Sequence, residues 1–244
     1  MLKYGLIGQK LGHSFSKSYF TEKFAAEQLV NCEYNLYELT EIASFPNLLK
    51  QEPELQGLNV TIPYKQAVIP YLDELDETAK EIGAVNTIKI RNGRTKGYNT
   101  DYVGFKQSLL RFCPPETGCK ALVLGTGGAS KAVQAVLKSL QMPFTLVSRK
   151  QAAGVLTYAV VTPEVVNAHC LIINTTPCGM FPDVASAPEL PYQALSVRHH
   201  LYDLVYNPAV TEFLKHGKVA GASVKNGLEM LYLQAEAAWQ IWNS

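Results

Sequence analysis

The sequence lacks an apolar run long enough to cross a membrane, a surplus of charge of one sign, and any Cys-x-x-Cys pair. A helical span needs about 20 apolar residues, so a membrane protein is not expected. Lys plus Arg number 22 against 21 Asp plus Glu, which leaves no basic excess to neutralise a nucleic-acid backbone. Neither a membrane nor a nucleic-acid partner is therefore predicted.

Cysteine is scarce and histidine shows no metal-ligand spacing, so we predict no metal site. An odd number of cysteines argues against a disulfide framework, and a reducing cytoplasm is the expected compartment. The opening segment 1–8 is too short and too soon interrupted for a signal peptide. It is predicted to be a first strand, and the chain is expected to start at Met1. The five cysteines are Cys32, Cys113, Cys119, Cys170 and Cys178.

What the sequence has is a strand–helix alternation over 244 residues, 47% of them hydrophobic. That length has room for two compact domains sharing a cleft. In the first hundred residues we predict strands at 32–39 and 58–62, with Leu58, Val60 and Ile62 on one face, and a helix over 73–83. Asn92-Gly93 is typical of a hairpin turn.

The rest of the chain predicts a doubly wound parallel sheet. A helix over 102–112 and a break at 113–118 precede it. A last helix from Lys225 carries an apolar stripe, formed by Leu228, Leu231, Ala235, Ala238 and Trp242. The predicted strands are 121–124, 144–147, 155–160, 170–174, 200–204 and 219–222.

The clearest local motif is the apolar strand 121–124 followed by Gly125-Thr126-Gly127-Gly128-Ala129 and a helix. Free amides at such a helix start can hold a pyrophosphate. Ser130 stands where the common fingerprint has a third glycine. A tight turn that binds no ligand is the structural alternative.

The end of the next strand indicates which dinucleotide binds. Ser148 stands 23 positions after Gly125, where NAD-binding folds place an acid, and Arg149 and Lys150 follow it. A guanidinium can bond a 2′-phosphate that an acid would repel, so NADP is favoured over NAD. Two basic residues that merely solvate a strand end are the alternative.

Clusters of short polar residues beside glycine or proline in the first hundred positions suit a small polyhydroxylated ligand. Ser14 and Ser16 could seat a carboxylate at a helix start, or simply cap that helix. Asp101 could equally be a cap, and Lys65 a surface lysine.

Together these segments resemble the shikimate dehydrogenase family, over nearly the whole chain and in the family's order. The segments that carry the resemblance are His13-Ser14-x-Ser16, Asn59-Val60-Thr61-x-Pro63-x-Lys65, Gly83-Ala84-Val85-Asn86-Thr87, Asn99-Thr100-Asp101, the Gly125 turn, Tyr202-Asp203-Leu204-Val205-Tyr206-Asn207-Pro208 and Asn226-Gly227-Leu228-x-Met230-Leu231-x-x-Gln234.

The resemblance implies an α/β substrate domain over 1–101, completed by a returning helix over 226–244, and a Rossmann-type NADP domain over 102–225. The expected partner is a small-molecule substrate, and the chain is expected to be a monomer or homodimer. One departure concerns 149–154, where Gly154 leads directly into the next strand and a helix is expected to be missing.

By the same resemblance, Lys65 and Asp101 would be catalytic, Lys65 as acid or base beside the nicotinamide. The implied substrate-binding residues are Ser14, Ser16, Asn59, Thr61, Asn86, Tyr206 and Gln234, with His13 at the rim. The implied cofactor-binding residues are Glu77, Gly125, Thr126, Gly127, Gly128, Ala129, Ser148, Arg149, Lys150, Leu204 and Gly227.

The implied activity is the reversible NADPH-dependent reduction of 3-dehydroshikimate to shikimate, a step of aromatic amino-acid biosynthesis. Two alternatives stay open. One is a quinate or quinate/shikimate dehydrogenase that uses NAD. The other is a non-enzymatic module that binds shikimate-like ligands or a dinucleotide to regulate a partner, although such a module needs no proton donor at Lys65.

Overall fold

The computed structural model describes residues 1–12, 14–113 and 118–244, so His13 and most of the predicted break at 113–118 lie outside the described residues. The chain divides into two compact units, 1–100 with 235–244, and 101–234. Asp101 and 226–234 therefore belong to the second unit. In the described ranges no helix has the length and apolar character of a membrane span.

The first unit is built on a six-stranded sheet. Its elements are β1 (Leu2–Gly8), α1 (Phe15–Ala26), β2 (Cys32–Glu38), α2 (Phe45–Gln51), β3 (Leu55–Val60), α3 (Tyr64–Ala67), β4 (Glu74–Leu75), α4 (Glu77–Ile82), β5 (Thr87–Arg91) and β6 (Arg94–Tyr98). The strand order is β2-β1-β3-β5-β6-β4. Strand β1 runs parallel to β2 and β3, whereas β5 is antiparallel to β3 and β6.

A buried cluster covers each face of this sheet, and β1 contributes to both clusters because its alternate residues point to opposite sides. Ile7 packs in one buried cluster with Leu58 and Val60. Tyr4 packs on the other side, in a second cluster that includes Phe20 of α1 and Trp242 of the last helix.

The strand predicted at 32–39 is present as β2, whereas two other predictions for this unit need correction. The hairpin is present, with Arg91 opposite Arg94 and positive φ at both turn residues. The helix predicted over 73–83 ends at Gly83 but begins only at Glu77, because the Asp76 carboxylate accepts from the N–H of Thr78 at 3.0 Å and caps it there. Ile62 is 76% exposed, not buried, because β3 ends at Val60.

The second unit carries the predicted doubly wound sheet, and α9 runs on from it into the first unit, which contains residues 235–244. The elements are α5 (Thr100–Phe112), β7 (Ala121–Leu124), α6 (Gly128–Ser139), β8 (Phe144–Ser148), β9 (Val155–Thr157), α7 (Pro163–Asn167), β10 (Leu171–Asn174), β11 (His200–Asp203), α8 (Glu212–Val219), β12 (Ser223–Lys225) and α9 (Leu228–Asn243). The strand order is β12-β11-β10-β7-β8-β9 with every pair parallel. Helices cover both faces, since α5 and α6 contribute to one buried cluster and α7 and α8 to the other.

Strand ends in this unit depart from prediction. The strand predicted at 219–222 is wrong: Val219 ends α8 and is 91% exposed, Gly221 turns the chain at φ +74°, and β12 follows. The strand predicted at 155–160 is half as long, since 158–160 form a 3₁₀ turn. Residues 149–154, all described, contain no helix, as predicted.

The last helix also starts later than predicted. Lys225 still belongs to β12, and the side chain of Asn226 accepts from the N–H of Leu228 at 3.2 Å, which caps α9. Leu228 is therefore exposed rather than part of a buried stripe, whereas Ala235, Ala238 and Trp242 are buried as predicted.

Cys119 and Cys170 form a disulfide, which the odd number of cysteines had argued against. The two residues are 51 positions apart, and neighbouring strands β7 and β10 bring them together. Such a pairing depends on the strand order, which the spacing of cysteines does not reveal.

Candidate active site

Ser14 and Ser16 lie at the start of α1, where Ser14 is the cap. Its hydroxyl accepts from the N–H of Lys17 at 3.4 Å, so Ser14 caps α1 through a long hydrogen bond. Burial raises the pKa of the Tyr34 phenol, and a hydrogen bond with Ser16 opposes that rise. Tyr34 also donates to Asn59 at 2.8 Å. One buried tyrosine therefore joins two predicted substrate-binding residues.

Asn59 and Asn86 are both buried between β3, β5 and the start of α5. The Asn59 amide donates to the carbonyl of Asn86 at 3.4 Å and to Thr87 at 3.3 Å. The side-chain oxygen of Asn86 accepts from the N–H of Thr100 at 2.6 Å, while its amide donates to the Thr100 hydroxyl at 3.0 Å. Asn86, the residue before β5, thus caps α5 at Thr100, and Asp101 follows directly.

Lys65 is the second residue of the short helix α3 and is half-buried. The helix is fixed at two points. The Lys65 carbonyl accepts from the N–H of Val85 at 2.7 Å, and the Tyr64 hydroxyl donates to the carbonyl of Leu39 at 2.6 Å. Thr61 lies in the preceding turn, where its carbonyl accepts from the N–H of Tyr64. The lysine therefore extends from a backbone with little freedom.

Asp101 and Gln234 both belong to the second unit, on two helices that approach each other at Gly104. A side chain at Gly104 would meet the carbonyl of Met230 at 2.6 Å and the N–H of Gln234 at 3.0 Å, so α5 and α9 touch at this glycine. Asp101 precedes Gly104 by three positions, which places it on the same face of α5. Asp101 is buried in the first turn, where the helix dipole favours a carboxylate.

The glycine turn between β7 and α6 has the predicted form. Gly125 has φ +106°, and a side chain there would meet the Thr175 hydroxyl at 2.6 Å, so glycine is required twice over. Ser130 donates to the carbonyl of Gly125 at 2.7 Å and fixes the turn from inside. Nothing lies within 4 Å of a side chain built at Gly127, so the turn is open where the first amides of α6 emerge. Thr126, Gly128 and Ala129 complete it.

The residues predicted to bind the 2′-phosphate lie at the end of β8. Ser148 is half-buried and accepts from the N–H of Lys150 at 3.2 Å, whereas the side chains of Arg149 and Lys150 are exposed. The link to β9 is six residues long and is closed by a bridge between Ala152 and Val155. Both basic side chains are thus held by a short loop rather than by a helix.

Leu204, Tyr206 and Gly227 meet at the end of β11. The N–H of Gly227 donates to the carbonyl of Val205 at 3.2 Å, and any side chain at 227 would collide with the carbonyl of Leu204. This glycine is required by a close backbone approach, in addition to any contact with a ligand. Tyr206 is half-buried, and burial raises the pKa of its phenol.

Asp203 is the residue of this region to which the sequence assigned no role. Its buried carboxylate accepts from Asn174 and from the N–H of Val205, both at 3.0 Å, and from Thr211 at 2.5 Å. Burial raises the pKa of Asp203 to about 6, although these three donors oppose the rise. The carboxylate ties the end of β10, the 204–206 turn and the cap of α8. Asp203 could have been singled out from the sequence, because it lies inside the segment Tyr202–Pro208 that carries part of the family resemblance.

Glu77 is the one predicted cofactor-binding residue that lies in the first unit, since all the others belong to the second. It is exposed and is the first residue of α4. Among the side chains that the structure describes, no group of three or more His, Cys, Asp or Glu is placed to hold a metal ion.

Comparison with known proteins decides the family. A model of the shikimate dehydrogenase substrate binding domain matches residues 6–88. The NADP(+) shikimate dehydrogenase of Halothermothrix orenii is 40% identical over 98% of this chain and 89% of that protein. The chain belongs to the shikimate dehydrogenase family.

Solved structures of the family have the same two-domain fold. Shikimate dehydrogenase of Aquifex aeolicus superposes with a TM-score of 0.88 at 33% identity, over 99% of this chain and 92% of that one. The Thermus thermophilus shikimate 5-dehydrogenase, solved with NADP(H) and shikimate, gives 0.85 at 31% identity, over 99% and 93%. The family-model match to 6–88 lies inside the first unit of this chain.

Proposed function

We propose that this chain catalyses the reversible reduction of 3-dehydroshikimate to shikimate with NADPH. The full-length similarity to enzymes of that name carries the proposal. The proposed substrate domain is the first unit, into which the substrate-domain match falls, and the proposed cofactor domain is the second, with its parallel sheet and glycine turn.

The substrate is proposed to bind through hydroxyl, amide and phenol groups. Support comes from their fixed positions: Tyr34 joins Ser16 to Asn59, and Asn86 is bonded to Thr100. A pre-formed set of this kind limits the entropy lost when a small polyhydroxylated acid binds. The proposed binding residues are Ser14, Ser16, Asn59, Thr61, Asn86, Tyr206 and Gln234.

NADP is proposed to bind along the carboxyl ends of the second sheet. The open turn at Gly125–Ala129 presents amides of α6 to the pyrophosphate, and Arg149, helped by Lys150, bonds the 2′-phosphate. Ser148, Leu204, Gly227 and Glu77 complete the proposed set. When bound, the reduced cofactor supplies the hydride.

The proton is proposed to come from Lys65. As an ammonium it protonates the oxygen that develops negative charge at the reacting carbon. The anchoring of α3 by Val85 and Leu39 supports this role, because it holds the lysine backbone at one place. Asp101 is proposed to accept a hydrogen bond from a substrate hydroxyl.

The test is NADPH absorbance with purified protein and 3-dehydroshikimate, repeated with NADH, and with quinate and either oxidised cofactor. We expect oxidation of NADPH and weak activity with NADH. Faster turnover of quinate with NAD would favour a quinate or quinate/shikimate dehydrogenase. Shikimate or NADP binding in a calorimeter without any turnover would favour the regulatory module.

A cytoplasmic location and a monomeric or homodimeric state are proposed with this function, as for a biosynthetic enzyme that draws on NADPH. Size-exclusion chromatography with light scattering decides between one chain and two. A higher assembly would contradict the proposal.

A further inference from the structure

The two half-exposed cysteines Cys119 and Cys170 lie at the amino-terminal edge of the second sheet. Cys119 precedes β7 by two positions, and Cys170 directly precedes β10. The strands pair in parallel with Ala121 opposite Leu171, and the N–H of Leu171 donates to the carbonyl of Lys120 at 3.3 Å. The sheet itself therefore sets the spacing of the two cysteine backbones.

That spacing suits a disulfide without any movement of the chain. The two Cα atoms are 5.6 Å apart, close to the commonest separation in disulfides. Because strand pairing and not the sulfur bond holds the backbones, the two thiols stay opposed after reduction. The other three cysteines take no part in a disulfide.

We propose that Cys119 and Cys170 form a reversible thiol–disulfide site that exchanges with small thiols and disulfides of the glutathione class. On oxidation, one cysteine thiolate attacks glutathione disulfide and releases one glutathione. The second cysteine thiolate attacks the protein sulfur of the mixed disulfide, closes the Cys119–Cys170 bond and releases the second glutathione. Each glutathione leaves with a proton that one protein thiol has given up, so atoms and electrons balance.

The consequence of the bond is an effect on stability rather than on the cofactor site. It closes a loop of 51 residues that contains β7, α6, β8, β9 and α7, which restricts the unfolded chain. The glycine turn follows the opposite end of β7, a strand length of roughly 13 Å away. A reducing cytoplasm would keep the dithiol form, and oxidative conditions would yield a more heat-resistant second unit.

The experiment compares the full-length protein equilibrated with glutathione disulfide and with reduced dithiothreitol. Alkylation of the unfolded protein, read by mass spectrometry, is expected to count two more thiols after reduction. The midpoint of thermal unfolding is expected to be higher in the oxidised protein by roughly 5–15 °C. The Michaelis constant for NADPH is expected to stay the same within about twofold.

The variants are Cys119→Ser, Cys170→Ser and, as a matched control, Cys32→Ser. The first two are expected to abolish the redox difference in thermal unfolding, and Cys32→Ser to preserve it. Equal thiol counts in the two treatments, or equal unfolding midpoints in the unmodified chain, would overturn the proposal. A several-fold change in the Michaelis constant for NADPH would contradict the claim that the disulfide leaves the cofactor site unaffected. Loss of all activity in both treatments would count against the proposed reaction instead, because thiol counts and unfolding midpoints do not depend on it.

Discussion

The side chains proposed to bind the substrate and those proposed to bind the 2′-phosphate are held in contrasting ways. Asn59 and Asn86 are buried and bonded to neighbouring strands and to the start of α5, so moving either breaks hydrogen bonds within the fold. Arg149 and Lys150 are exposed on a six-residue link without a helix. Substrate recognition is therefore expected to be rigid and costly to alter, whereas the choice of dinucleotide rests on a few replaceable side chains.

Replacement of Lys65 is expected to reduce activity more than replacement of Asn86 or Arg149. Lys65→Ala removes the proposed proton donor and is expected to lower kcat by about 10² to 10⁴-fold, with a smaller change in the Michaelis constant. Lys80→Ala, an exposed lysine of the same unit, is the control. Near-normal kcat in Lys65→Ala would show that Lys65, although its backbone is rigidly held, is not the proton donor.

Asp203 provides a test by pH. Its pKa, raised to about 6, means that the folded state binds this proton more tightly than the unfolded state. Its contribution to stability is thus complete below about pH 4 and is lost as the pH rises through 6, by an amount on the order of 3 kcal/mol. Asp203→Asn should gain stability relative to the unmodified protein over that interval, measured by thermal unfolding.

The control for that series is Asp183→Asn at an exposed carboxylate. It should leave the shape of the stability–pH curve unchanged. Parallel curves for Asp203→Asn and the unmodified protein would show that this buried carboxylate titrates normally.

Asn86→Ala probes the rigidity of the substrate half. It leaves the buried N–H of Thr100 without its side-chain acceptor, so we expect the free energy of unfolding to fall by about 1–3 kcal/mol and the Michaelis constant for shikimate to rise. Asn86→Asp keeps the acceptor and should recover part of the stability. Exposed Asn31→Ala is the control, and an Asn86→Ala protein as stable as that control would refute the capping role.

The smallest effect is expected at Arg149. Arg149→Ala should raise the Michaelis constant for NADPH by about tenfold, the cost of one charge-assisted phosphate contact, while that for NADH changes little. Exposed Lys138→Ala on α6 is the control. Equal losses with both dinucleotides would place Arg149 in contact with a part that they share, and the specificity would then lie elsewhere.

Local signals predicted much of the fold. The β7–turn–α6 unit, the hairpin at Asn92-Gly93 and the helix end at Gly83 each follow from a few adjacent residues whose backbone conformation is restricted. Ends of elements failed where a cap or a glycine decides, as at Asp76 for α4 and Gly221 before β12.

Pairings between distant residues could not be predicted in the same way. The bonds from Tyr34 to Asn59, from Asp203 to Asn174 and from Cys119 to Cys170 all depend on the order of the strands in each sheet. The motifs therefore supplied the candidate residues, and the strand order supplied their hydrogen-bond partners.

Transfer of an isotopic label from the cofactor tests the proposed reduction itself. The purified chain is given 3-dehydroshikimate and NADPH carrying deuterium at C4 of the nicotinamide, in separate reactions for each face of the ring. We expect one of the two reactions to yield shikimate with deuterium at C3 of its ring. Shikimate without the label in both reactions, or no shikimate at all, would contradict it.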